Sequence, residues 1–259
     1  MEKIIEIENL SFSYEKQKPL FENISLDIEK GCITTVLGAN GCGKTTLFNL
    51  LTGNLKKDKG EIQIDNRKIE EYSLNEFAKK VSIVHQKNIA PADITVKKLV
   101  SYGRTPYKSK NIFASSTEED EIKIERAMKV TGTDIYSNRA VAELSGGQMQ
   151  RVWIAMALAQ DTEILFLDEP TTFLDVKYQL EILKLVRELN EEYGMTIVMV
   201  LHDINQALLY SDRIIALRNG ELIYEGKPDE LTANGLLTDI YDVPMKVIGT
   251  DQGSLVLPY

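Results

Sequence analysis

The chain has 259 residues, 43% of them hydrophobic and 27% charged, and 30 Lys+Arg against 39 Asp+Glu give a net charge of −9. That length holds a core without disulfides, the aliphatic residues are spread too evenly for disorder, and the longest wholly apolar run, Val152–Ala159, falls far short of the roughly 20 residues of a membrane span. The acidic balance argues against broad nucleic-acid binding, which needs clustered Lys and Arg, and the N-terminal run of acids and isoleucines has no apolar h-region, which predicts a protein that stays in the cytoplasm.

In chain order, Ile5, Ile7, Phe12 and Tyr14 fall in short alternating stretches that predict strands, followed by Leu26, Ile28 and the run Ile33–Leu37. Cys32 and Cys42 flank that last strand. At about 3.3 Å per residue it holds them too far apart for a disulfide, whose Cα atoms must lie within about 7 Å; both thiols read as small buried residues. After a glycine-rich loop, Thr45–Leu51 has helical spacing, and Glu61–Ile64 with the Asp65-Asn66 turn reads as a hairpin arm. Thr95–Tyr102 and Glu118–Val130 read as helices joined by a polar loop at 107–117, and helical character continues through Gln148–Ala159. Ile164–Leu167 is a short apolar run ending in acids. Val176, Leu180, Leu183, Val186 and Leu189 form one stripe of a helix. Thr196–Leu201 and Arg213–Leu217 are further strands, the second closed by Asn219-Gly220 before Glu221–Tyr224, a strong hairpin signal.

Short apolar runs alternating with amphipathic helices predict an α/β fold with a mostly parallel sheet covered on both faces. The simplest organisation is a nucleotide-binding core with an N-terminal antiparallel β subdomain (1–86 and 156–230), an inserted helical subdomain (87–155) and a C-terminal extension (231–259).

The chemistry concentrates in three places. Gly38-Ala39-Asn40-Gly41-Cys42-Gly43-Lys44-Thr45-Thr46 matches G-x-x-x-x-G-K-[ST] between a predicted strand and a predicted helix. Glycines let backbone N–H groups turn around phosphate oxygens where a Cβ would obstruct, and the helix adds its positive end. Lys44 would reach the β- and γ-phosphates and the Thr45 hydroxyl would coordinate Mg²⁺. The competing reading is an ordinary glycine turn. Asp168 and Glu169 stand where a buried strand emerges. Asp168 suits Mg²⁺, directly or through water, and Glu169 suits polarisation of an attacking water, against the plainer reading of a polar strand end. Leu144-Ser145-Gly146-Gly147-Gln148 opens a helix. Ser145 and Gln148 have capping-box spacing, while two adjacent glycines, unfavourable in a helix, fit close approach of a second anion.

These motifs, with His202 after them, stand in the order and at the spacings of the ATP-binding subunit of ATP-binding-cassette transporters, and the chain resembles that family over nearly all of residues 1–230. The resemblance implies a head-to-tail homodimer with each ATP between one subunit's phosphate loop and the partner's Ser145–Gln148. It further implies adenine stacking on Tyr14, a Mg²⁺- and permease-sensing Gln86, a dimer-facing Asp175 and a γ-phosphate switch at His202. Packing could also explain Tyr14 and His202, and Gln86 rests on the resemblance alone. A finer resemblance, in Gly103-Arg104-Thr-Pro106-Tyr, Val152–Asp161, Pro170–Asp175 and Val200–Ala207, is to ATPases of iron–siderophore, haem and vitamin B12 importers. His85, where many relatives have proline, and Met149, where arginine often follows the signature, depart from it. The implied cofactors are ATP and Mg²⁺. The implied partners are permease subunits and, through them, a substrate-binding protein, with the chain peripheral on the cytoplasmic membrane face and no nucleic acid. A soluble cassette ATPase of iron–sulfur assembly, DNA repair or translation is the alternative; a single phosphate loop, absent heptads and net negative charge speak against it. Intact Lys44, Asp168, Glu169 and His202 speak against a catalytically dead regulatory subunit.

Overall fold

The computed structural model describes residues 2–15, 18–108, 117–233, 235–251 and 253–259. The polar loop expected at 107–117 lies largely outside them. The chain divides into two compact units, Met1–Tyr72 with Gly194–Tyr259, and Ser73–Tyr193.

In chain order the first unit begins with β1 (Lys3–Glu15), β2 (Lys18–Glu29), β3 (Ile33–Gly38), α1 (Lys44–Leu51), β4 (Lys59–Ile64) and β5 (Arg67–Lys68). The second contains α2 (Leu74–Lys80), β6 (Val81–Val84), α3 (Val96–Ser101), α4 (Glu118–Val130), α5 (Gly146–Ala159), β7 (Ile164–Asp168) and α6 (Val176–Tyr193). The chain then returns to the first unit with β8 (Thr196–Val200), α7 (Ile204–Tyr210), β9 (Arg213–Arg218), β10 (Glu221–Gly226), α8 (Pro228–Ala233), α9 (Leu237–Tyr241), β11 (Met245–Thr250) and β12 (Gly253–Pro258).

In the first unit, β2-β1-β4-β5 form an antiparallel sheet. Ile5 and Ile7 pair with Ile28 and Leu26 on one side and with Ile64 and Ile62 on the other, all buried. The strand β3 is buried at every position because it lies between two parallel neighbours, β8 (Ile33↔Ile197, Val36↔Val200) and β9 (Thr34↔Arg213, Gly38↔Leu217). Such a strand needs apolar residues on both faces, which Ile33, Val36 and Leu37 supply; the hydroxyls of Thr35 and Ser211 bond each other at 2.6 Å. The two expected hairpin turns are present, with left-handed backbone at Asp65 and Asn66 (φ 53° and 58°) and at Asn219 (φ 49°). Cys32 and Cys42 are both free thiols.

In the second unit β6 and β7 pair in parallel (Val81↔Ile164, Val84↔Leu167), and α3, α4 and α5 pack on one another. Two helix bounds shift slightly: Thr95 is the N-cap of α3 rather than its first residue, and α5 starts at Gly146. The α6 stripe requires a correction. Leu183, Val186 and Leu189 are buried, but Val176 and Leu180 are 70% and 39% exposed. Tyr178 explains this, because its ring packs over Gly147, and residues two before and two after it on a helix point away from its face. The sequence pattern also passed over α2, whose Ser73–Glu76 capping box precedes no clear apolar stripe, and β6. Among the described residues no helix is long and apolar enough to cross a membrane.

One buried ion pair organises the helices of the second unit. Arg104 and Asp120 are 2% and 5% exposed, and Arg104 Nε donates to Asp120 Oδ1 at 2.8 Å. The same guanidinium donates to the Ala159 carbonyl at the end of α5 (3.0 Å) and lies 3.9 Å from the Tyr107 ring centroid. The other Asp120 oxygen accepts from Thr117 N–H (3.1 Å), completing the N-terminal cap of α4. Burial by itself would raise the Asp120 carboxyl, but the hydrogen bonds from Arg104 and Thr117 outweigh it and hold the group below its ordinary range. Replacing one partner leaves a buried charge uncompensated, so Arg104→Ala should lose about 3–5 kcal/mol of unfolding free energy at neutral pH. A carboxyl depressed in the folded state contributes stability above its unfolded pKa near 4 and loses it as pH falls through the folded value. Urea titrations at pH 7 and pH 3 should therefore show the gap between wild type and variant narrowing in acid.

Candidate nucleotide site

The first unit gathers the phosphate loop, Tyr14 and His202. The loop leaves β3 at Gly38, where the chain passes so close to β9 that a Cβ would sit 2.2 Å from the Leu217 carbonyl oxygen and 2.6 Å from Cys42 Sγ, with φ at +145°. The Gly220 N–H in the β9–β10 turn donates to the Cys42 carbonyl at 3.0 Å and ties the far side of the loop down. Cys42 is buried and its burial pushes the thiol up, so it is a packing residue rather than a nucleophile. Asn40 and Gly41 form the exposed tip.

Lys44 opens α1 and is 5% exposed. Its Nζ folds back to donate to the carbonyls of Gly38 (2.8 Å) and Ala39 (3.0 Å), and no carboxylate of the described residues lies within 4.0 Å of it. Gly43 gives α1 no side-chain cap and the first turn holds no acid, so the leading N–H groups of α1 face outward beside a buried cation. Backbone donors, a helix N-terminus and an uncompensated ammonium form an anion site. The Thr45 side chain is exposed; Thr46 is buried, with its hydroxyl 3.0 Å from Tyr14 OH. That bond and an edge-on contact with Phe12 (centroids 4.9 Å apart, planes at 87°) fix the Tyr14 ring, which stays 67% exposed, as a stacking platform requires. His202 is exposed just beyond β8, where Leu201 N–H donates to Val36 O at 3.4 Å; it thus lies at the same strand edge as Gly38.

The second unit gathers the acids. Asp168 ends β7 and is 8% exposed. Glu169 follows with a left-handed backbone, φ 50°, a conformation that non-glycine residues adopt at an energetic cost and that clusters at functional sites. Gln86 Nε2 donates to Glu169 Oε2, and the Thr172 hydroxyl donates to the same oxygen at 3.1 Å. Nothing in the spacing of residues singles out Thr172, whose role emerges only from the turn after β7. Beside Gln86, burial lowers the His85 imidazole, which favours its neutral form.

Ser145 caps α5 as the spacing predicts: Ser145 N–H donates to Gln148 Oε1 (2.9 Å) and Gln148 N–H to Ser145 Oγ (3.4 Å). Packing gives one of the paired glycines a second reason. A Cβ on Gly147 would meet the Tyr178 ring at 2.5 Å, so helix packing by itself accounts for that glycine; at Gly146 the nearest atom is Leu174 Cδ2 at 3.6 Å, and packing does not account for the second. Asp175 Oδ1 accepts from Tyr178 N–H at 3.1 Å and so caps α6, a local task beside any external one.

Among the described residues no group of three or more His, Cys, Asp or Glu could by itself hold a metal. Thr45 in the first unit and Asp168 in the second each carry a hard oxygen donor of the kind Mg²⁺ takes, one or two protein ligands being common with phosphate and water completing its shell.

Comparison with known proteins places this chemistry. A model of the ABC transporter family matches residues 21–172. The petrobactin import ATP-binding protein YclP of Bacillus subtilis is 43% identical over 244 residues, covering 94% of this chain and 95% of that protein. A metal-chelate type ABC transporter solved in an inward-facing conformation superposes with a TM-score of 0.86 at 28% identity, over 100% of this chain and 98% of that one. An ATP-binding cassette solved as a dimer in a post-hydrolysis state with ADP and phosphate has a TM-score of 0.74 at 32% identity, over 87% of this chain and 99% of that one.

If Lys44 is the cation that reads the terminal phosphates, Lys44→Ala should bind ATP at least about 100-fold more weakly (about 2.7 kcal/mol) and should no longer prefer ATP to AMP. Calorimetric titration of both nucleotides checks this, and an unchanged preference for ATP would remove Lys44 from the site.

Proposed function

The chain belongs to the ABC transporter family and is one of its ATP-binding, ATP-hydrolysing subunits; we propose that it powers import of a metal chelate, an iron–siderophore complex ahead of haem or cobalamin. The observation that carries the ATP reading is the buried Lys44 ammonium, held by two neutral carbonyls at the start of a helix. The cargo reading is supported by a relative named for petrobactin import and by likeness to a metal-chelate type transporter.

The proposed working form is a head-to-tail homodimer seated on membrane permease subunits at the cytoplasmic face, with a substrate-binding protein delivering cargo from the other side. In each site Tyr14 stacks on adenine, and the amides of residues 38–46 bind the phosphates with Lys44. Ser145, Gly146, Gly147 and Gln148 of the second copy close over the γ-phosphate, with Asp175 at the dimer seam. Thr45, Gln86 and Asp168 are the residues that would hold Mg²⁺, which supplies charge neutralisation on the β- and γ-phosphates.

Glu169 orients a water and takes its proton as the water oxygen bonds to the γ-phosphorus; the bond to the bridging oxygen breaks and ADP leaves with that electron pair. The Gln86 amide and Thr172 hydroxyl keep the carboxylate aimed, and His202 contacts the γ-phosphate and reports its loss. The helical segment 87–155, which carries the signature, passes the closed and open states to the permease.

Glu169→Gln keeps size and hydrogen bonding but removes the proton acceptor. With ATP and Mg²⁺ it should retain nucleotide, accumulate as a dimer in size-exclusion chromatography, and hydrolyse at least about 100-fold more slowly. Hydrolysis at the wild-type rate would overturn the assignment of Glu169.

A further inference from the structure

Two side chains on one face of α5 reach the connection that follows α4. Arg151 Nη1 donates to the Thr131 carbonyl at 3.1 Å, and three residues earlier Gln148 Nε2 donates to the Tyr136 hydroxyl at 2.8 Å; residues three apart share a helix face. The first contact fastens the helix. The second joins a residue that the ATP reading uses, Gln148, to a tyrosine that it does not.

The connection is firmly held where it meets Gln148. Thr131 and Thr133 are fully buried and their hydroxyls lie 3.0 Å apart, while Thr133 N–H donates to the Met128 carbonyl at 2.8 Å. Tyr136 N–H then donates to the Thr133 carbonyl at 3.0 Å, and Arg139 N–H to the Tyr136 carbonyl at 2.8 Å. The half-buried Tyr136 ring also has the Arg139 guanidinium 5.2 Å from its centroid. Backbone bonds on both sides therefore set where the phenol stands.

The Gln148 amide has one accepting and one donating end, and the helix cap decides which is which. Oε1 accepts from Ser145 N–H at 2.9 Å, so Nε2 is the end that faces Tyr136 and the phenol oxygen is the acceptor. Reversing the amide would set Nε2 against the Ser145 N–H, donor facing donor. Ser145 Oγ in turn accepts from Gln148 N–H at 3.4 Å, which leaves the exposed hydroxyl its own proton to give to an acceptor outside the unit.

We propose that Tyr136 is a positioning residue for the Ser145–Gln148 turn. Its hydroxyl holds the Gln148 amide in the orientation that caps α5, and so keeps the Ser145 hydroxyl and the first amides of α5 set for the γ-phosphate of an ATP carried by a second copy of the chain. The proposal rests on the head-to-tail dimer reading. Because the turn serves the nucleotide of the other subunit, the contact governs closure of the dimer and not the binding of nucleotide to a single subunit.

The test uses the full-length chain carrying Glu169→Gln, with and without Tyr136→Phe. It measures ADP affinity by calorimetry, the nucleotide-free melting temperature, and dimerisation with ATP and Mg²⁺ by sedimentation equilibrium. Tyr136→Phe should leave the first two unchanged, since water can replace the phenol at the half-buried amide. Dimerisation should weaken about tenfold or more, because each dimer contains the contact twice and one net hydrogen bond is worth a few-fold to tenfold. Adding Gln148→Ala to both chains should erase the difference between them. Dimerisation untouched by Tyr136→Phe, or weakened equally with Gln148→Ala in place, would overturn the proposal. A matching loss of melting temperature and ADP affinity would also overturn it, by marking Tyr136 as packing alone. Failure of Glu169→Gln by itself to dimerise with ATP would overturn the dimer reading beneath it.

Discussion

A buried ammonium with only carbonyl oxygens for partners is the constraint around which the first unit is arranged. Transferring an unpaired charge from water is strongly unfavourable, and the Lys44 bonds to Gly38 and Ala39 offset only part of it. The strand β3 delivers Gly38 to this point because β8 and β9 flank it in parallel register, and the apolar residues of all three strands leave the polar groups exposed only at the strand ends. In open parallel sheets that edge is where ligands bind. The close approach of Gly38 to Leu217 and the tether from Gly220 to Cys42 keep the loop compact.

The second unit keeps its carboxylates under local control. Glu169 is held in a left-handed backbone and by hydrogen bonds from Gln86 and Thr172, an arrangement that fixes the direction of its side chain. The helices of the same unit take their order from Arg104 and Asp120, one pair that caps the start of α4 and the end of α5 at once. Because buried ion pairs are geometrically exacting, this one defines how α4 and α5 lie against the 102–107 segment. Gly103 contributes to the same joint, since a Cβ there would meet the Met156 carbonyl at 2.1 Å. The family-like run Gly103–Tyr107 thus has an architectural explanation independent of transport.

Most of this was legible in the residues where a local rule is strong. The phosphate loop, the strand ends at Asp168 and His202, the Ser145 cap and the Asn219-Gly220 hairpin each follow from backbone demands satisfied within a few positions. Long-range packing was not legible. The packing of Tyr178 on Gly147 has no signal in the spacing, and the same tyrosine turns Val176 and Leu180 outward against the apolar count. Thr172 carries no periodic or spacing signal at all, because its significance lies in the carboxylate that the turn after β7 brings to it.

The chain has no helix among its described residues able to cross a membrane, yet the proposed work is done at one, through permease subunits that the dimer would drive. The decisive measurement is ATP-dependent uptake into proteoliposomes containing this chain copurified with its permease and supplied with a substrate-binding protein. Ferric siderophore, haem and cobalamin are offered in parallel. The account predicts uptake of ferric siderophore that requires ATP and Mg²⁺ and stops with Glu169→Gln. Hydrolysis proceeding with no uptake of any metal chelate, or no permease accompanying the chain from membranes, would contradict it.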